Sequence, residues 1–571
     1  MIRLARARVA RVLTTAAIAS VVMGAVAVPP AQAANYVPIS GAGSTWSQNA
    51  IDQWRRDVYQ FGLQVNYAGN GSSDGRNQFR AGTVDFAVSE IPYGTKDGGV
   101  FDPPPTQSAT NPRPFAYIPI VAGGTSFMYN LVIGGRRVTN LQLSPSTIVG
   151  IFTDKITRWN DPAIAKDNPG LTLPALPVVP VVRSDGSGTT AQFTKYMATK
   201  YASQWNAYCL RTGRATLPCG QTSTYPTVPG SGFVSQSGSL GVAGYVAQSN
   251  NVGTINYVEY SYALNSGFPV AKMLNKAGYY IEPTADSVAV ALTGATINGD
   301  LTQNLGGVYD NADPRTYPLS SYSYMIIPTT TAPPMNTDKG HSLAAFAKYF
   351  LCDGQNKAPL LGYSPLPLNL VQAAFTQIRK IPGADLGSIN VRACHNPTFT
   401  SSGANLLAQI APQPLPCAHV GIPTQCWDGT AGAARIATFV HGVGDNYGVK
   451  AKPTGNPSAH PTGNPSTNPS TNPSTNPTGN PTSNPTGNPT PNPTGNSTGN
   501  PTGNPTSNPS SNGGTLSNPG APPGAQAQPV AVASQFAGGN SVLIPILALL
   551  VLLGVVIAPV AVASILRGGK K

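Results

Sequence analysis

The chain has 571 residues, a formal net charge of +13 and only 10% charged residues. It is too long for one compact core, and its charge content is too low for an ordinary cytosolic protein. The net charge alone could indicate a nucleic acid or another acidic polymer as partner. However, much of the excess lies near the two ends, and the middle has no stripe of Lys and Arg with interleaved aromatics. The sequence therefore argues against a nucleic-acid partner.

The N-terminus has the three parts of a secretory signal. Four arginines precede or begin an alanine-rich apolar run over 12–28, and Ala31-Gln32-Ala33 fits a small-x-small cleavage site. No cysteine stands at its end, so lipid attachment there is not expected. We predict that residues 1–33 are a signal peptide, and a retained N-terminal anchor is the alternative.

Residues 34–384 alternate short β-branched or aromatic runs with amphipathic stretches, which is typical of α/β units. The helical spacing of apolar residues predicts helices over 46–61 and 193–201. In such folds, ligands lie at the carboxyl ends of strands and at helix N-termini. The predicted strands are 65–67, 84–88, 116–121 and 178–182.

Three polar, glycine-rich segments precede or begin predicted helices: Gly41–Trp46, Gly71–Gly75 and Arg183–Thr190. Glycine lets backbone N–H groups approach a ligand, Ser and Thr add hydroxyl donors, and a helix N-terminus adds partial positive charge. A plain N-cap is the alternative for each segment alone. Arg183 adds a forked pair of donors that Asp185 could hold in place. Together these features predict an anion site.

Six cysteines lie between Cys209 and Cys426. An even number in an exported chain predicts disulfides, and closeness in sequence suggests Cys209 with Cys219, with the full connectivity left open. Three of the cysteines lie in residues 385–448, together with three histidines. We predict that this stretch is a disulfide-stapled appendage. A metal or partner site formed by Cys and His is the alternative.

Residues 449–540 consist largely of Asn-Pro-Ser/Thr units with almost nothing apolar before Val530. Such a sequence cannot bury a core and favours extended conformations, so we predict a disordered stalk. Thr and Ser beside Pro make glycosylation of this stalk a companion hypothesis.

The segment 542–566 contains no ionisable residue and is long enough to cross a hydrocarbon layer of ~30 Å. Basic residues in the tail 567–571 favour the cytoplasmic side. We therefore predict a single transmembrane helix with a cytoplasmic C-terminus, so that the rest of the mature chain lies at the cell surface. A long stalk and a C-terminal anchor fit a thick-walled, Gram-positive bacterium.

Several segments resemble the phosphate-binding protein of phosphate ABC importers, the PstS family, in order and approximate spacing. The resemblance covers about residues 37–381, and its most specific part is Arg-x-Asp-Gly-Ser-Gly-Thr at 183–189. It implies a type II periplasmic-binding-protein-like fold, in which two α/β lobes joined by hinge strands close on one dehydrated phosphate. The other segments are Gly41–Trp46, Asn66–Ser73, Thr83–Glu90, Phe152–Pro169 and Gly253–Tyr260.

The resemblance also implies the partners and the site. The partners are inorganic phosphate and a membrane permease, with no cofactor, no metal and no catalytic residue. The Thr45 hydroxyl and the Trp46 backbone N–H would donate at the first helix start, where the family usually has Phe in place of Trp. The implied phosphate-binding residues are Thr45, Trp46, Ser72, Glu90, Arg183, Ser187, Gly188 and Thr189, with Asp185 orienting Arg183.

Glu90 is a departure from the family pattern, which has Asp at this position. The resemblance implies that this carboxylate accepts the proton that phosphate carries and sulfate lacks. A buried carboxylate rejects a fully ionised anion because no hydrogen lies between the two negative oxygens. Glu supplies the same chemistry on a longer arm. The alternative is that Glu90 points elsewhere and caps a strand end.

Two other function classes compete with a transport binding protein. An exported phosphatase would need a metal cluster or an activated nucleophile, but none of the five histidines lies in the anion motifs. The sequence therefore predicts no enzyme activity. A surface adhesion or sensory protein on the same fold is the second alternative, and the stalk and the appendage favour it.

Overall fold

The computed structural model describes residues 36–107 and 112–438. Within these ranges, no helix has both the length and the apolar character needed to cross a bilayer. Four predicted segments lie outside the described residues: the signal peptide (1–33), the linker (449–540), the transmembrane helix (542–566) and the basic tail (567–571).

Helices and strands alternate along most of the described chain, as the sequence predicts for an α/β fold. The strands are β1 (Ile39–Gly43), β2 (Val65–Ala68), β3 (Phe86–Ser89), β4 (Lys96–Asp97), β5 (Val100–Phe101), β6 (Phe115–Asn130), β7 (Val132–Ile133), β8 (Arg136–Arg137), β9 (Gln142–Leu143), β10 (Val179–Arg183), β11 (Val234–Gln236), β12 (Thr254–Asn256), β13 (Val258–Glu259), β14 (Val270–Leu274), β15 (Tyr280–Ile281), β16 (Thr296–Ile297), β17 (Gln303–Asn304) and β18 (Ser320–Pro328). The helices are α1 (Gln48–Tyr59), α2 (Ser72–Ala81), α3 (Pro145–Phe152), α4 (Pro162–Asp167), α5 (Gly188–Lys200), α6 (Ala202–Arg211), α7 (Gly238–Val246), α8 (Tyr260–Ser266), α9 (Ala285–Ala291), α10 (Gly306–Tyr309), α11 (Thr337–Leu351), α12 (Leu368–Ile378) and α13 (Leu406–Ile410).

A 12-stranded sheet passes through the molecule in the order β11-β10-β12-β6-β18-β3-β1-β2, with β9, β13, β14 and β15 paired off this path. The long strand β6 belongs to two groups of strands. Its residues 115–124 pair antiparallel with β18, whereas residues 125–130 pair with β13, β14 and β12. We call the part built on β1, β2, β3 and β18 the first lobe, and the part built on β10 to β14 the second lobe.

Each lobe places helix starts after the carboxyl ends of parallel strands. In the first lobe β1 pairs in parallel with β2 and β3, and in the second lobe β10 pairs in parallel with β11 and β12. Because parallel strands end at the same edge of a sheet, the helices α1, α2, α5 and α7 begin near the places where β1, β2, β10 and β11 end. The α/β class predicted from sequence is confirmed.

Packing of the core shows where the helix predicted over 46–61 is right and where it is too long. Helix α1 buries Ala50, Ile51, Trp54 and Val58 on one face, as the pattern predicts. The pattern over 46–61 is too long, however, because Phe61 lies in the turn after the helix and is 61% exposed. In the second lobe, aromatic rings of α3, α5 and the loop after β12 pack together and hold these elements under the sheet.

All six cysteines form disulfides, including the predicted pair within the second lobe. Cysteines in disulfides cannot act as thiolate ligands, so none of the three cysteines in residues 385–448 is available to a Cys and His metal site. The described residues also contain no cluster of three or more potential metal ligands. The pairs are Cys209–Cys219, Cys352–Cys394 and Cys417–Cys426.

Candidate functional site

The three glycine-rich segments meet between the two lobes. The first lies between β1 and α1, where Thr45 Oγ1 is 2.8 Å from Ser239 Oγ at the start of α7. The Ser239 amide also donates to Thr45 Oγ1 at 3.2 Å. The next residue, Trp46, is buried, and its amide donates to Ser44 Oγ at 3.0 Å. Thr45 therefore connects the first lobe to the second, while the Trp46 N–H already has a partner within its own loop.

The second segment begins helix α2 instead of preceding it, because Ser72 is the first residue of that helix. Gly75 allows this position: a Cβ there would lie 2.4 Å from Gly43 Cα, so only glycine lets α2 pack so closely on β1. The Ser72 hydroxyl donates to Glu90 Oε2 at 2.8 Å, and both residues are buried.

Glu90 lies at the contact between the lobes. A Cβ added to Gly188, the first residue of α5, would lie 1.9 Å from Glu90 Oε2 and 2.5 Å from Ser72 Oγ. Any side chain at position 188 would collide with the Glu90 carboxylate. Only glycine therefore allows the start of α5 to lie so close to Glu90. The alternative in which Glu90 points away and caps a strand end does not fit these contacts.

The third segment holds the one guanidinium of the site. Arg183 is 2% exposed; its Nε donates to Asp185 Oδ1 at 2.7 Å, and its Nη2 donates to Asp185 Oδ2. Its Nη1 donates to Ser239 Oγ at 3.1 Å. An arginine has five N–H donors, so after these three bonds two remain without a partner among the described residues. Asp185 therefore fixes the fork of Arg183, as predicted.

The neighbouring guanidinium of Arg183 changes the pKa of Asp185. Burial acts to raise the pKa of Asp185, but hydrogen bonds and charge from Arg183, together with the Gly238 amide at 2.9 Å, hold that pKa below its ordinary value. Asp185 is thus ionised at neutral pH and keeps the guanidinium oriented.

The N-terminus of helix α5 also points towards the contact between the lobes, beside Glu90. Ser187 is its N-cap and accepts from the Thr190 amide at 3.2 Å. Thr189 is 1% exposed, and its Oγ1 has no hydrogen-bond partner among the described residues. A buried hydroxyl without a partner at a helix start is free to donate to an anion.

A second buried carboxyl lies beside Trp46. Burial raises the pKa of Glu259 well above its ordinary value. Its Oε2 accepts from the Ser261 amide at 2.7 Å. A Cβ on Gly123 of β6 would lie 2.8 Å from the Trp46 ring and 3.3 Å from Glu259 Oε1. The strand that joins the lobes therefore passes directly against both side chains.

The structure brings all nine predicted site residues into one cluster, and it adds three serines that were not predicted as site residues. Ser44 and Ser323 donate to Glu90 Oε1 at 2.6 and 2.7 Å, and Ser239 joins Thr45 to Arg183. The sequence contains a signal for Ser239, since Ser237-Gly238-Ser239 is a fourth glycine and serine helix start. Ser323 lies within a strand and has no comparable signal.

Comparison with known proteins identifies the family of the chain. A family model described as a PBP superfamily domain matches residues 28–354, and the chain belongs to that superfamily. The phosphate-binding protein PstS of Xylella fastidiosa (strain Temecula1) is 32% identical over 346 residues, which cover 60% of this chain and 85% of the relative. The PstS protein of Pasteurella multocida is 31% identical, with 59% and 89% covered. Within the superfamily, the chain is therefore a member of the PstS family.

The resemblance seen in the sequence is thus confirmed, as is the expectation of a binding protein instead of an enzyme. A mycobacterial relative, phosphate-binding protein PstS 2 of Mycobacterium tuberculosis, is 30% identical, with 58% of this chain and 83% of the relative covered. Among solved structures, the phosphate-binding protein from Stenotrophomonas maltophilia is 19% identical and has a TM-score of 0.44, with 65% and 99% covered.

Proposed function

We propose that this chain captures inorganic phosphate between its two lobes and delivers it to the permease of an ABC-type importer. The observation that carries the proposal is the donor set around Glu90. Arg183 keeps two N–H groups without a partner among the described residues, and the Thr189 hydroxyl likewise has none. Donors from both lobes, together with one carboxylate that is not paired with Arg183, suit an anion that carries one proton.

In this proposal each predicted residue has a defined role. The guanidinium of Arg183 supplies the formal counter-charge, and Asp185 orients it. Glu90 accepts a hydrogen bond from the protonated oxygen of the phosphate. A sulfate ion has no such hydrogen, so this contact selects phosphate over sulfate. The remaining donors are the hydroxyls of Thr45, Ser187 and Thr189 and the backbone N–H of Gly188. The Ser72 hydroxyl and the Trp46 N–H donate to Glu90 Oε2 and Ser44 Oγ in this structure, so they contact the anion only if it replaces those partners.

We also propose the organisation that the sequence predicts around the binding domain. The signal peptide is removed, residues 34–384 bind the anion, and residues 385–448 form an appendage. The stalk of 449–540 and the membrane helix of 542–566 then hold the binding domain outside a Gram-positive plasma membrane. The sequence of the segments supports this arrangement, because the last apolar stretch is followed by basic residues.

Calorimetric titration of the full-length chain, freed of bound anion, tests the function. We expect one phosphate per chain and no heat from sulfate under the same conditions. Failure to bind phosphate would refute the proposal. A second assay, release of phosphate from simple esters, separates binding from the phosphatase alternative, and we expect no turnover. Unchanged phosphate uptake in cells that lack the protein would favour the adhesion or sensory alternative.

A further inference from the structure

The two oxygens of the Glu90 carboxylate have different surroundings. Oε1 accepts from the hydroxyls of Ser44 and Ser323 at 2.6 and 2.7 Å. Oε2 accepts from Ser72 at 2.8 Å and faces the start of α5, where a Cβ on Gly188 would be 1.9 Å away. One oxygen therefore lies within the first lobe, and the other faces the second lobe.

The donors of Oε1 come from two separate elements that pack together. Ser44 follows β1, and Ser323 lies in β18, the strand that pairs with β3 and β6. Ser44 is 1% exposed, and Ser323 and Glu90 are 0% exposed. A serine hydroxyl has a single hydrogen. Ser44 gives its hydrogen to Oε1. Ser323 Oγ also lies 3.0 Å from Ser47 Oγ, so when Ser323 gives its hydrogen to Oε1, Ser47 is the donor in that second contact. Two buried hydroxyls with fixed positions determine how the plane of the carboxylate is turned.

We propose that Ser44 and Ser323 are positioning residues for anion selectivity. They hold Oε1 in the first lobe, so that Oε2 is the acceptor that faces the anion. This inference rests on the proposed function, because it assumes that an anion binds between the lobes. An anion oxygen with a hydrogen donates to Oε2, whereas an oxygen without one meets a fixed negative charge.

Loss of either hydroxyl changes this discrimination. The buried Oε1 atom then lacks one of its two hydrogen-bond donors. This loss favours rotation of the Glu90 carboxylate or entry of a water molecule. A rotated carboxylate accepts less well from phosphate and repels sulfate less. Phosphate affinity therefore falls and sulfate affinity rises, whereas a serine that only fills space would leave their ratio unchanged.

The test uses the full-length chain and phosphate titrations with and without excess sulfate. We expect sulfate to leave phosphate binding by the wild-type chain unchanged. In Ser323→Ala and in Ser44→Ala, we expect the ratio of sulfate to phosphate dissociation constants to fall about ten- to a hundredfold, as for loss of one hydrogen bond to a charged group. The matched control is Ser321→Ala, since Ser321 lies on the same strand, is 2% exposed and has a hydroxyl without a partner among the described residues.

A second pair of variants separates the hydroxyl from its volume. Ser323→Thr keeps a hydroxyl and should keep more of the selectivity than Ser323→Val, which has the same shape without one. Equal selectivity in these two variants, or wild-type selectivity in both alanine variants, would overturn the inference while phosphate binding by the wild-type chain upholds the function. Loss of selectivity in Ser321→Ala would overturn it as well, because strand packing would then explain the effect. If the wild-type chain binds no phosphate, both the function and the inference fail.

Discussion

Replacing Arg183 by Ala should remove most of the affinity for phosphate. The side chain is 2% exposed and keeps two N–H groups that no described residue accepts. Hydrogen bonds to charged groups contribute roughly 1.5–3 kcal/mol each. Two such bonds give a loss of about 3–6 kcal/mol, which corresponds to an increase in the dissociation constant of about 10² to 10⁴-fold.

The same substitution should also lower stability, because it leaves the Asp185 carboxylate without its counter-charge. The Asp185 side chain is 13% exposed, so solvent offsets part of the loss and we expect a destabilisation of about 1–3 kcal/mol. The double variant Arg183→Ala with Asp185→Ala removes both charges. It should recover much of the stability and none of the affinity, which separates the two effects.

Calorimetric titration measures the affinity, and thermal denaturation without ligand measures the stability. Arg183→Lys is the control for charge alone: lysine keeps the positive charge but cannot reproduce the two-point contact with Asp185, so its affinity should fall between wild type and alanine. A dissociation constant of the alanine variant within a few fold of wild type would refute the site. Recovery of affinity in the double variant would show that Asp185, not Arg183, controls binding.

Three further substitutions test two contacts between the lobes and one buried acid. Gly188→Ala should abolish phosphate binding in titrations, because its Cβ would lie 1.9 Å from Glu90 Oε2; near-normal affinity would contradict the contact. Asp97→Asn should speed phosphate release in stopped-flow experiments about tenfold, because it weakens bonds of 2.6 and 2.5 Å to Ser223 N and Oγ. Burial raises the pKa of Glu259, so the folded chain retains a proton that the unfolded chain releases, and stability falls as pH rises above the ordinary glutamate value. Thermal melts from about pH 4 to 8 should show that Glu259→Gln reduces this fall, whereas an equal fall in both proteins would contradict the assignment.

The parts of the site that the sequence predicted depend on local rules. Gly41–Trp46 and Arg183–Thr190 each combine glycine, hydroxyl side chains and the start of a helix within a few residues. These features act over one turn of helix, so the residues that bind an anion are adjacent in the chain. The role of Asp185 was also predictable, because it stands two residues after Arg183 and within reach of the same guanidinium.

The remaining parts depend on packing between distant segments. Ser323 reaches Glu90 only because β18 returns between β3 and β6, which are far from it in sequence. Its strand contains Ser320, Ser321 and Ser323, and composition alone does not say which hydroxyl faces the carboxylate. The strand pairing decides which hydroxyl faces the carboxylate, and pairing between segments that are far apart in the chain follows from tertiary structure instead of local propensity.

Contacts outside the anion site also join the lobes, and they have a consequence for transport. Asp97, in the β4–β5 hairpin of the first lobe, accepts from Ser223 of the second lobe, and Gly98 donates to the Gln221 carbonyl at 2.9 Å. These bonds are made by the protein alone, so they favour closure without contacting the anion. Because apparent affinity scales with the fraction of chains in the binding-competent arrangement, they tighten binding and slow release. On the proposed function, a permease must separate this contact before phosphate can leave, so release and not capture is the step that the permease has to assist.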